Sequence, residues 1–70
     1  MPVKTAHFPT AVSEEDFEII ENALRQLPGV RHVDMQRATK EVTIEWEDPT
    51  SWRDIERAVS DLGYVPASEP

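Results

Sequence analysis

Two similar stretches decide the fold of this chain. Residues 20–30 read I-E-N-A-L-R-Q-L-P-G-V, and residues 55–65 read I-E-R-A-V-S-D-L-G-Y-V. In each stretch the apolar residues recur at the three- and four-residue spacings of an amphipathic helix. Solenoids need at least three stacked units to bury their apolar faces. Two copies in a chain of 70 residues therefore indicate a single domain built from two strand–helix–strand halves.

The first of these helices is predicted to begin after Ser13, within the stretch P-T-A-V-S-E-E-D (residues 9–16). The Ser13 hydroxyl can accept from the backbone of the first turn, and Asp16 stands at the capping-box position as a shorter substitute for Glu. Pro28 and Gly29 end the helix. Its apolar stripe consists of Phe17, Ile20, Leu24 and Leu27.

The second helix is predicted to follow either Thr50 or Ser51 as its N-cap and to end at Gly63. Its stripe comprises Trp52, Ile55, Val59 and Leu62. Alternation of apolar and polar residues predicts the strands, with a polar turn at residues 37–40 between the middle two. The predicted strands are residues 3–8, 30–36 and 41–46, followed by a short last strand at Tyr64 and Val65.

These elements predict an α+β, ferredoxin-like βαββαβ sandwich in residues 1–66, with residues 67–70 as a C-terminal tail. Right-handed crossovers place both helices on one face of a four-stranded antiparallel sheet. Met35 and Trp46 alternate toward that face and are expected in the core. The opposite face is expected to be open and polar. It carries Thr5, His7, His32, Asp34, Glu41, Thr43 and Glu45.

Composition narrows the function classes. Seven basic and fourteen acidic residues give a formal charge of −7, which argues against nucleic acid and fits a protein partner with a basic patch. The absence of cysteine excludes disulfides, thiolate metal sites and thiol nucleophiles. The start M-P-V-K-T-A-H lacks the apolar segment of a signal peptide, and no stretch reaches membrane-spanning length. We therefore expect a cytoplasmic protein, free-standing or part of a larger chain, with no membrane insertion.

Three segments together resemble the heavy-metal-associated domain, the family of copper chaperones and of N-terminal modules of metal-transporting P-type ATPases. They are I-E-N-A-L-R-Q-L-P-G-V-R-H-V, V-T-I-E-W-E-D-P and I-E-R-A-V-S-D-L-G-Y-V-P. The resemblance extends from about Val3 to Pro66. In that family a G-M-T-C-x-x-C loop leads into the first helix, and its two thiolates bind Cu(I) or another soft ion.

The family's metal motif is missing from this chain. By the family's spacing, the two metal cysteines correspond to Ser13 and Asp16, and Thr10, Ala11 and Val12 replace Gly, Met and Thr. The resemblance thus implies a related scaffold with a degenerate metal site. It also implies that Tyr64 lies beside the loop, near Ala11 to Ser13.

The stretch S-E-E-D could instead offer oxygen ligands to a divalent ion. Successive helical residues project in different directions, so Glu14, Glu15 and Asp16 do not converge easily, and a helix N-terminus repels cations. A helix cap accounts for all four residues. The remaining metal hypothesis is weak divalent binding without thiolates, with His7, Ser13, Glu14 and Asp16 as candidate ligands. His7 and His32 are predicted near opposite ends of the sheet, so a shared site is not expected.

Catalysis has no support in the sequence, which lacks a nucleophile paired with a base and a glycine-rich phosphate loop. Acylphosphatases share the topology, but they hold phosphate with an Arg-bearing loop after the first strand, and residues 9–12 contain no basic residue. We therefore predict a non-enzymatic docking or regulatory module in metal trafficking, monomeric or weakly dimeric and without a cofactor. A metallochaperone-like carrier with non-thiol ligands is the alternative. The predicted docking residues are Glu14, Glu15, Asp16, Asp54, Glu56, Asp61 and Tyr64.

Overall fold

The computed structural model of the chain describes residues 2–68. In chain order the elements are β1 (Val3–His7), α1 (Glu14–Arg25), β2 (Val30–Gln36), β3 (Glu41–Trp46), α2 (Trp52–Ser60) and β4 (Ala67–Ser68). The predicted α+β class, with two helices and an antiparallel sheet, is confirmed. Three strands are of full length, whereas β4 has only two residues. Within the described range, neither helix has the length and apolar character needed to cross a membrane.

The strands lie in the order β2-β3-β1-β4, and every neighbouring pair is antiparallel. The prediction of a last strand at Tyr64 and Val65 is wrong, because the pairing with β1 is made by Ala67 and Ser68. Pro66 lacks an N–H for the sheet, so the ladder starts only after it. The first two residues of the predicted tail thus belong to the sheet, and residues 69 and 70 lie outside the described part.

A bulge in β2 sets which of its side chains reach the core. Val30 pairs with Trp46 and His32 pairs with Glu45, so Arg31 is the extra residue. The insertion allows both Val30 and Val33 to pack against the core although they are three positions apart. Beyond the bulge the alternation is regular, and His32 is exposed as predicted.

One core lies between the helices and the sheet. Both helices and the three long strands supply its buried side chains, and Ile20, Leu24, Ile44, Ile55 and Val59 are fully buried. Met35 and Trp52 pack against this core, and Trp46 is part of it, as expected. Leu62 departs from the predicted stripe, since it is 51% exposed. It follows the end of α2, where the chain has already left the helix.

Both helices begin with a capping box of one serine and one aspartate. Ser13 and Asp16 form a capping box before α1, and Ser51 and Asp54 form one before α2. Of the two N-caps offered for α2, the structure selects Ser51. Thr50 has a different role, because its buried Oγ1 accepts a 2.8 Å hydrogen bond from the backbone N–H of Gly29.

The helices end differently. At the end of α2, the N–H of Tyr64 donates to the Val59 carbonyl over 3.0 Å and that of Gly63 to the Ser60 carbonyl over 2.9 Å. This is the Schellman pattern, and Gly63 takes the left-handed conformation it requires, with φ of 98°. In contrast, α1 stops at Arg25, before the Pro28–Gly29 signal.

Candidate functional site

The loop between β1 and α1 is anchored at its base. Phe8 is fully buried, and its N–H donates a 2.8 Å hydrogen bond to the carbonyl of Lys40 in the β2–β3 turn. The Ala11 N–H turns back onto the Phe8 carbonyl over 3.0 Å, and the Ala11 methyl group is buried. Val12 points outward and is 73% exposed. The loop thus has a fixed base and an apolar tip.

Asp16 is the centre of the hydrogen bonds that close this loop. Its Oδ2 accepts from the backbone N–H groups of Val12, at 3.0 Å, and Ser13, at 3.1 Å. The Asp16 N–H in turn donates to Ser13 Oγ over 3.3 Å. The predicted capping box is confirmed, and the additional bond from Val12 extends it by one residue into the loop.

The second oxygen of the same carboxylate is used by the other half of the domain. The Tyr64 hydroxyl donates a 2.6 Å hydrogen bond to Asp16 Oδ1. This bond is the main reason why the pKa of Asp16 is lowered from its ordinary value, with backbone donation from Val12 next. It also raises the pKa of Tyr64 above its ordinary value. The resemblance implied that Tyr64 lies beside the loop, and its contact is with Asp16.

Arg37, in the β2–β3 turn, contacts the first turn of α1. Its Nε and Nη2 donate to the Glu14 carboxylate, at 2.7 and 2.6 Å, and its guanidinium lies 5.8 Å from the centre of the Phe17 ring. The Glu14 carboxylate raises the pKa of Arg37. Sequence reasoning missed this residue, which lies in the turn R-A-T-K. The signal was topological, because this turn and the start of α1 share one end of the sheet.

The predicted docking residues fall into different environments. Glu14 and Asp16 are engaged by Arg37 and Tyr64, and Asp54 is engaged in the capping box of α2. Glu15 and Asp61 are exposed, and Glu56 is half-buried. Because α2 ends near Asp16, Asp61 lies toward the loop end of the domain. Asp54 lies in the first turn of α2, at the other end of that helix, near the contact between Thr50 and Gly29.

The histidines do not join the loop site. His7 is half-buried and lies opposite Glu41 on β3, whereas His32 is exposed and pairs with Glu45. Since Glu41 and Glu45 lie toward opposite ends of β3, the two imidazoles are well separated, as predicted. Within residues 2–68 no three or more His, Cys, Asp or Glu side chains are grouped so that they could hold a metal ion.

Ser13 and Asp16, which the resemblance assigns to the family's metal position, do not fit a soft metal ion. Cysteine is absent, and a soft ion such as Cu(I) selects thiolate or thioether ligands. The Asp16 carboxylate already accepts from two backbone N–H groups and a hydroxyl. Its partner, Ser13 Oγ, accepts from the helix backbone. Both candidate ligand oxygens therefore already accept hydrogen bonds from backbone N–H groups of this segment.

Comparison with protein-family models matches residues 19–65 to the heavy-metal-associated domain. The chain belongs to the heavy-metal-associated domain family. The matched segment starts inside α1, after the loop that carries Ser13 and Asp16. A search of curated protein sequences gave no match.

Solved structures confirm the fold of this heavy-metal-associated domain. Oxidized MerP from Ralstonia metallidurans CH34 superposes with a TM-score of 0.90 at 21% identity, covering 99% of this chain and 97% of that chain. The N-terminal domain of PacS from Synechocystis PCC6803 gives 0.86 at 17% identity over 100% of both chains. The N-terminal domain of ZntA, solved in its Zn(II) form, gives 0.81 at 25% identity, covering 96% and 90%.

Proposed function

We propose that this heavy-metal-associated domain is a non-enzymatic docking or regulatory module of cytoplasmic metal trafficking that works without a bound metal ion. The observation that carries the proposal is the position of the Asp16 carboxylate. The carboxylate joins the loop, α1 and the segment after α2 through three hydrogen bonds, and the spacing from Gly29 assigns it to the place of the family's second metal thiolate. In the family, a metal ion joins the parts of this loop. Here the chain's own carboxylate has that role.

The charge at this position supports the same proposal. One Cu(I) ion on two thiolates leaves a single net negative charge on the loop. Asp16, whose pKa is lowered, carries a single negative charge as well. A partner that recognises the shape and charge of a metal-bound loop would therefore bind this domain whether or not a metal ion is present. Docking would then be independent of the supply of metal.

The loop end of the domain also offers a surface for docking. Three of its large apolar side chains are exposed, namely Val12 at 73%, Leu62 at 51% and Val65 at 65%. Exposed carboxylates of Glu15 and Asp61 lie on the same end. An apolar centre with acidic groups around it suits a partner that presents apolar residues within a basic patch. Soluble domains of metal-transporting ATPases are the partner class that the family suggests.

Metal titration monitored by NMR tests the metal-free part of the proposal. Cu(I), Zn(II) and Ni(II) are added separately to the labelled protein and to its His7→Ala variant. We expect no saturable shift of loop amides at micromolar metal. Saturable shifts confined to His7 and residues 9–16, abolished by His7→Ala, would instead establish a carrier with non-thiol ligands.

Salt dependence tests the docking part. Binding to the soluble domains of metal-transporting ATPases from the same organism is measured at low and high ionic strength, with Glu15→Gln as the matched variant and Asp34→Asn, on the open sheet face, as the control. We expect affinity to fall steeply with salt and with Glu15→Gln but not with Asp34→Asn. An affinity that is the same at both salt concentrations contradicts docking through charge.

A further inference from the structure

A cleft of about 310 Å³ lies along α2, beside the segment that joins the end of α1 to β2. One wall is formed by the segment that leaves α1 and by the segment that enters α2. The other wall is one edge of α2. The lining residues are Leu27 and Pro28, then Pro49 and Thr50, then Asp54, Arg57, Ala58 and Asp61.

The base of the cleft is held rigidly. The Gly29 N–H donates to the buried Thr50 Oγ1 over 2.8 Å, and the Gly29 carbonyl accepts from the Glu47 N–H over 2.8 Å. These bonds join the end of α1 to the segment before α2. Leu27 packs against the core from the same place, and the small side chain of Ala58 leaves the space between the walls open. The cleft is therefore a preformed apolar trough.

Charged groups line the α2 edge of this trough in the order Asp54, Arg57 and Asp61. The side-chain ion pairs in the described part of the chain involve Arg25, Arg31 and Arg37, and none includes these three residues. Asp54 uses one oxygen for the Ser51 N–H, at 2.9 Å. The Asp61 carboxylate makes no side-chain hydrogen bond to any residue in the range 2–68. Two carboxylates against one guanidinium leave the rim negative.

We infer that this cleft receives an arginine or lysine side chain of the protein partner. The aliphatic stem of such a side chain can cover the apolar trough at Leu27, Pro28 and Ala58, while its charged head reaches the carboxylates. An acidic side chain of the partner would be repelled by both Asp54 and Asp61. The single positive charge of Arg57 does not offset these two negative charges. The inference rests on the proposed docking function, because that function requires a basic residue on the partner and the inference places this residue in the cleft.

The test uses a matched pair of small probes, N-acetyl-arginine amide and N-acetyl-citrulline amide, which have nearly the same shape but differ in charge. Each is titrated into the labelled protein at low salt. The arginine probe is expected to shift the amides of Leu27, Thr50, Ala58 and Asp61 with a Kd on the order of millimolar, typical of a single anchoring side chain. The citrulline probe should bind at least threefold more weakly.

Two variants locate the charge effect. Asp61→Asn is expected to weaken the arginine probe at least threefold, and Arg57→Gln to strengthen it about threefold, since it removes the competing cation. Asp34→Asn, on the open face of the sheet, should leave the Kd unchanged. Unchanged dispersion of the remaining amide signals verifies that each variant is folded.

The inference would be overturned by equal binding of the two probes, by absence of saturable shifts at the cleft, or by tighter binding of N-acetyl-glutamate amide than of the arginine probe. Arginine-dependent shifts confined to Val12–Asp16 also overturn the cleft, but they leave the docking function intact. Conversely, if the arginine probe binds the cleft as expected but the ATPase domains do not bind the protein, only the proposed function is contradicted.

Discussion

The Tyr64 hydroxyl donates a 2.6 Å hydrogen bond to the Asp16 carboxylate across 48 residues of sequence. This bond joins the end of the second half of the internal repeat to the start of the first. The same carboxylate caps α1 and binds the loop backbone at Val12 and Ser13. The loop between β1 and α1 is therefore closed by one acidic side chain, which also bonds to the segment after α2.

The bond between Tyr64 and Asp16 should make stability fall at both ends of the pH range. The folded pKa of Asp16 is lowered, so its contribution is present above the unfolded value of about 3.9 and is lost as the pH falls through the folded pKa. The folded pKa of Tyr64 is raised, so its contribution is present below about 10 and is lost as the pH rises through the folded pKa. Urea midpoints across pH measure both losses.

Tyr64→Phe is the matched variant for this dependence. It keeps the ring and removes only the hydroxyl, so the urea midpoint at neutral pH should decrease, and the deficit should shrink below pH of about 4. NMR titration of the Asp16 carboxyl carbon should give a higher pKa than in the parent protein. An identical Asp16 pKa in both proteins would refute the role of the hydroxyl.

Much of the fold was predictable because local and long-range signals agree. The alternation in residues 30–36 and 41–46 places β2 and β3 within their observed bounds, and the S-x-x-D capping box places the start of α1. The last strand was not predictable in this way. Two residues show no measurable periodicity, and the position of β4 depends on Pro66 and on the contact of Tyr64 with Asp16.

The capping box of the candidate site was predictable from residue types alone, and the structure confirms it. The assignment of Ser13 and Asp16 to the family's metal position, from the spacing to Gly29, stays a prediction. The hydrogen bond from Tyr64 to Asp16 and the ion pair between Arg37 and Glu14 join residues that are distant in sequence. Such contacts follow from tertiary geometry, and the sequence of either partner carries no local signal of them.

Gly29→Ala should be strongly destabilising. A Cβ at this position would collide with the carbonyl oxygen of Glu47 and would lie 2.7 Å from Cβ and Oγ1 of Thr50. The backbone cannot retreat, because Gly29 bonds to both neighbours. We expect a loss of about 2 kcal/mol or more of unfolding free energy, measured by urea denaturation.

Gly63→Ala provides the contrast, because no atom beyond the two neighbouring residues lies within 4 Å of the added Cβ. Its cost arises only from the positive φ of 98° and should be about 1 kcal/mol. Gly63→Asn should recover part of this loss, since Asn tolerates the left-handed region. A cost for Gly29→Ala that does not exceed that for Gly63→Ala would contradict the steric argument.

Lys40→Gly should stabilise the domain. Lys40 closes the β2–β3 turn with φ of 60°, the only positive φ of a non-glycine residue within 2–68. The backbone carbonyl that accepts from Phe8 is retained in the variant. Relief of the left-handed strain, less the added freedom of the unfolded chain, should give about 0.5–1 kcal/mol by thermal or urea unfolding.

Ala38→Gly, in the same turn but without a positive φ, is the control for this change. It adds the same freedom to the unfolded chain and relieves no strain, so it should destabilise by about 0.5 kcal/mol. If both glycine substitutions shift the urea midpoint in the same direction, strain at Lys40 is not the cause of the effect.

Ser13→Cys combined with Asp16→Cys should create a metal site, because the spacing from Gly29 assigns these two positions to the family's thiolate pair. Without metal the double variant loses the capping box and the bond from Tyr64, so its urea midpoint should fall below that of the parent. With free Zn(II) at about a hundred times its Kd, binding to the folded state should raise the free energy of unfolding by about 2.7 kcal/mol.

Equilibrium dialysis measures the stoichiometry of this binding, which is expected to be one ion per domain. The parent protein treated identically should show neither binding nor stabilisation. A double variant that folds but binds no ion would mean that the loop has diverged beyond the two ligand positions, which would contradict the view that Asp16 stands in for a metal-bound thiolate.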